Sequence, residues 1–111
     1  MPSEAEELAA AVARLVGQIQ HWTPSRWGAA SGVSGRSRAD LVHALVQHLA
    51  DLAAAAEGQA ARTVPRLDND LALPDQLLVV TRDLVRTAPS GTPLASATQA
   101  VAQTRTGLWG G

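Results

Sequence analysis

The sequence predicts an all-α protein, an up-down four-helix bundle with one short extra turn after its first helix. Three observations carry that expectation. Apolar residues recur at spacings of three and four in four separate stretches, which stacks them on one face of a helix at about 3.6 residues per turn. Clusters of Gly, Pro, Ser and Asp or Asn divide those stretches. No stretch alternates apolar and polar residues as a half-buried strand does. With 111 residues the chain has room for one core, so a single domain over 1–111 is expected, with 107–111 a frayed tail.

The first helix is expected to start after Ser3, which forms a capping box with Glu6. Glu4, Glu6 and Glu7 suit the positive end of its dipole. Leu8, Val12, Leu15, Val16, Ile19 and Trp22 line its apolar face. Thr23-Pro24 gives a stop, a new N-cap and a first helical position, so Ser25 to Trp27 form the extra turn. Residues 28–36 have the Gly and Ser content of a flexible loop.

Ser37 with Asp40 makes an imperfect capping box for a second long helix that stops at Gly58. Its apolar arc holds Leu41, Val42, Leu45, Val46, Leu49, Leu52, Ala53 and Ala56, and its polar arc Asp40, His43, Gln47 and Asp51. Residues 59–70 are a connection whose Asp68-Asn69-Asp70 can cap the next helix, which runs to about Ala88. Leu73, Leu77, Val80 and Leu84 form the stripe of that helix, and Leu71, Leu78, Thr81 and Val85 widen it to about half the circumference. A last helix is expected from Pro93 to about Thr106, capped at Thr92, on Leu94, Ala97, Val101 and Ala102.

Composition narrows the function. Much of the 46% hydrophobic content is alanine, and Phe and Tyr are absent, so Leu and Val must form the core around Trp22, Trp27 and Trp109. All nine basic residues are arginine, which excludes lysine Schiff-base chemistry. Zero cysteines exclude thiolate nucleophiles and cysteine-held metals. A net charge of −1 without a basic cluster predicts no nucleic-acid binding. The acidic N-terminus and the absence of a long apolar run predict no leader, no membrane and a cytoplasmic setting.

Three constellations are candidates for a site. His43, His48 and Asp51 could offer nitrogen and oxygen metal ligands from one helix, although such a set needs partners from other helices and no histidine follows His48. Gly35, Arg36, Ser37 and Arg38 open a helix and could bind an anion there; their likeness to a phosphate loop lacks its first glycine, its lysine and its preceding strand. Trp22 and Trp27, with Leu71, Leu78, Val79 and Val85 of the third long helix, could anchor a protein partner. The alternative for the tryptophans is to close the end of the core.

The segment Trp27 to Val42 resembles the start of the DinB-like bundles typified by mycothiol-dependent maleylpyruvate isomerase, matching at Trp27, Gly35, Asp40, Leu41 and Val42. The resemblance implies a four-helix, dimeric architecture. The family's metal-binding histidine falls on Ala44, beside His43, and its later Glu and His ligands have no counterpart. A shortened member without the metal is implied.

The expected function is that of a non-catalytic helical protein working through protein contacts, by self-association as a homodimer and without a cofactor, because the third long helix is too widely apolar for so short a chain to cover. The rivals are a metal-dependent relative of the DinB-like transferases and isomerases, and a carrier of a small apolar ligand between alanine-rich helices.

Overall fold

Three helix starts are set by a hydroxyl just before them. Ser3 Oγ accepts the Glu6 amide N–H at 3.1 Å, and Thr23 Oγ1 accepts that of Arg26 at 3.3 Å. Ser37 and Asp40 exchange both bonds of a capping box, at 3.0 and 2.9 Å. A computed structural model describes residues 1–109. These caps open α1 (Glu4–Ile19), α2 (Pro24–Gly28) and α3 (Arg38–Ala56); α4 (Leu73–Thr87) and α5 (Thr92–Leu108) complete the set. A 3-10 turn, Asp70–Ala72, leads into α4. Among the described residues the chain is all-helical, with one isolated antiparallel bridge, Ala30 to Ser37, and no strand.

α3 packs along α4 and α1 along α5, while contacts of α3 with α5 and of α1 with α4 complete the core. That core is Leu8, Val12, Leu15 and Ile19 of α1, Val42, Leu45, Val46 and Leu49 of α3, Leu73, Leu77 and Leu84 of α4, and Leu94, Ala97, Val101 and Leu108 of α5. Each fully buried Leu contributes about 1.5–3 kcal/mol. Thr81 is the one buried polar residue of the described chain, and its hydroxyl donates to the Leu77 carbonyl at 2.7 Å, which removes the cost of burying it.

The structure departs from the sequence expectations at four places. Residues 29–38 form a stapled hairpin, not a flexible loop: Arg38 N–H donates to Ala29 O at 2.9 Å, Ser31 N–H to Arg36 O at 3.0 Å, and Gly32 N–H to Gly107 O at 2.7 Å. Gly35 turns this hairpin at φ +77°, where a side chain would be strained.

Helix α5 is longer than expected. It runs through Gly107 to Leu108, which is buried, so the tail does not fray at 107; Gly110 and Gly111 lie outside the described residues. Thr92 does not cap α5. Gly91 precedes the helix at φ +100°, and its N–H is met instead by the Glu4 carboxylate of α1 at 3.0 Å. Finally, α4 has no side-chain cap of its own, because the Asn69 carboxamide closes the preceding 3-10 turn by accepting from Leu71 N–H at 3.0 Å.

Candidate functional site

The polar arc of α3 holds the connection between α3 and α4 in place. Gln47 Oε1 accepts from Val64 N–H at 2.7 Å, while its Nε2 donates to Arg62 O at 2.9 Å and to Asp51 Oδ1 at 2.8 Å. One turn earlier, His43 Nε2 lies 3.1 Å from Val64 O, to which it donates. Arg66 continues the strap, bonding Asp40 at 3.0 Å and Asp70 at 3.1 Å. The Ser37 amide N–H, and after it the Arg66 guanidinium, hold the Asp40 carboxyl below the usual carboxylate range.

The structure does not bring the three metal candidates together. His43 is engaged by the strap and Asp51 by Gln47 of the same helix, and His48, five residues from His43, is turned about 140° away around the helix. It is exposed and lines a separate groove between α3 and α5 with Arg36, Leu41 and Gln103. Among the described residues no group of three or more His, Asp or Glu side chains is placed to hold a metal ion. Ala44 is exposed.

The residues of the anion candidate do not converge on the start of α3 either. The Asp40 carboxylate already occupies the start of α3 through the capping box, so an anion there would meet a like charge. Arg38 turns away from that helix end. Its guanidinium carbon stacks 5.3 Å from the centre of the Trp22 ring and 5.6 Å from that of Trp109.

The tryptophans close one end of the core. Trp27 is fully buried and Trp22 nearly so. Their ring centres lie 5.0 Å apart and edge-on, and Trp109 meets Trp22 in the same manner at 5.5 Å. Neither of the buried pair is available as an anchor for a partner. Leu78 and Val85 are half-buried against the core and are withdrawn from the surface as well.

Leu71 and Val79 remain, exposed at 44% and 54%, and the structure adds Leu67 at 45%. Leu67 and Val79 stand at the rim of an apolar hollow that Val46, Val64, Ala72 and Val80 also line, with Leu71 next to Ala72. Gln76 lines it too, and its buried Oε1 has no hydrogen-bond partner. Leu67 was hidden from sequence reasoning because it lies in an irregular connection, where helical periodicity has no meaning. An isolated Leu within a polar segment was the only sign of it.

No known protein family, characterised protein or solved structure matches the chain. Among the described residues no helix is long and apolar enough to cross a membrane.

Proposed function

We propose that this chain is a small helical contact module that self-associates through the face formed by Leu67, Leu71 and Val79. The observation that carries the reading is that two exposed aliphatic side chains, Leu67 of the connection and Val79 of α4, line one apolar hollow, with Leu71 of the 3-10 turn exposed beside its Ala72 in sequence. Scattered exposed leucines are ordinary on a soluble surface, whereas a contiguous patch with a depression marks a contact site. In this reading the four long helices are an up-down bundle that serves as a rigid frame for the face. The DinB-like stretch Trp27 to Val42 then belongs to a relative that works without the metal.

Sedimentation velocity over a concentration series up to high micromolar tests this. The wild-type chain is expected to approach the mass of a dimer and the Val79→Glu variant to stay monomeric at every concentration, with unchanged helical circular dichroism. A wild-type monomer throughout the range overturns the reading.

A further inference from the structure

The exposed positions of α4 are Asp75, Val79, Arg82 and Arg86. Their spacing of four, three and four places them on one stripe, as a coiled-coil seam is placed. The stripe is polarised, with an acid one turn before Val79 and bases one and two turns after it. Neither Asp75 nor Arg82 takes part in an ion pair among the described residues, whereas Arg86 is held by Asp83 at 2.9 Å.

We infer that the partner at this face is a second copy of the chain, docked α4 against antiparallel α4 about a two-fold axis at Val79, with Asp75 of each copy paired to Arg82 of the other. The inference rests on the self-association proposed above and fixes its register. A two-fold axis at Val79 brings the two apolar side chains together. It also brings the residue three positions after Val79 level with positions 75 and 76 of the other copy, and of these Asp75 shares its side of the seam, so each Arg82 arrives beside Asp75 of the other copy. The guanidinium then meets a carboxylate that has no ion-pair partner among the described residues of the single chain.

A parallel arrangement would instead set Asp75 against Asp75 and Arg82 against Arg82, which is repulsive. Charge complementarity therefore selects the antiparallel pair, and it selects like for like: the same polarised stripe is its own complement, as an isologous interface requires. Leu67 and Leu71 extend the contact beyond the seam. They are needed, since an average interface covers about 800 Å² per partner, roughly an eighth of the chain's 6273 Å².

The absence of cysteine makes the register directly testable. Helices whose axes lie about 8–10 Å apart bring facing Cα atoms within the roughly 7 Å that a disulfide spans. A Val79→Cys chain is expected to give a disulfide-linked dimer under mild oxidation, and a Gln99→Cys chain, substituted on exposed α5, to remain monomeric on a non-reducing gel.

Charge reversal supplies the second arm, read by sedimentation. Asp75→Arg and Arg82→Asp should each weaken dimerisation at least about tenfold, because every substitution acts twice across the axis. The double variant should restore it, which no effect on helix stability alone would do. A dimer that ignores both reversals, or that links no better through Val79→Cys than through Gln99→Cys, overturns the register and leaves self-association standing. A monomer in every arm overturns both.

Discussion

Replacing Gln47 with alanine tests whether the polar arc of α3 truly fastens the connection over it. The substitution removes the acceptor for Val64 N–H and the donor to Arg62 O. Two such bonds contribute about 0.5–1.5 kcal/mol each, and the part-buried Val64 N–H loses its partner. Against that loss, alanine favours helix by a few tenths of a kcal/mol and the freed glutamine entropy returns part of what its ordering cost. The net destabilisation is about 1 kcal/mol.

For a chain of this size, with a urea slope of about 1–1.5 kcal/mol per molar, the unfolding midpoint should fall by roughly 0.7–1 M. The local effect should be sharper. Hydrogen exchange at Val64 should accelerate by about tenfold or more, since each 1.4 kcal/mol of opening energy is a factor of ten, while exchange in the buried turns of α1 should track only the global change. A midpoint and a Val64 exchange rate equal to those of the wild type would refute the strap.

Two further outcomes are expected from the same geometry. Asp40 is held below its ordinary value, so its stabilising share is complete above about pH 4 and is lost as the pH falls from there through the depressed folded value. Acid unfolding monitored by circular dichroism should therefore be less steep in that window for Asp40→Asn, which keeps the oxygen that caps α3 but not the charge. Gly17, in α1, has open space around an added Cβ, and Gly17→Ala should raise stability by about 0.5–1 kcal/mol in urea titration. Gly107→Ala should gain less or lose, because there the Cβ would sit 3.1 Å from Leu41 Cδ1.

The helices were legible because their determinants are local. Ser3, Thr23 and Ser37 each cap an amide N–H only three residues further along the chain, and the three-four spacing of Leu8 to Ile19 or Val42 to Leu49 states which side is buried. The surroundings of the candidate residues were not legible, for the converse reason. His43, His48 and Asp51 share a helix, but whether His43 is free depends on Val64, which reaches it only through the path of the connection. Arg38 is next to Ser37 in sequence yet belongs to Trp22 and Trp109, which lie far from it along the chain.

Sequence alone determined that the chain is all-helical, built on Leu and Val, and short of thiol and lysine chemistry, since composition and nearest-neighbour hydrogen bonding decide those properties. Only the tertiary structure decided which apolar side chains stay outside. Leu78 and Val79 are adjacent and chemically alike, yet one rests against the core and the other faces water, because the orientation of α4 on α3 is fixed by packing between segments distant in sequence. Likewise, Gly91 N–H is satisfied by Glu4, 87 residues away, a partner that no local pattern encodes.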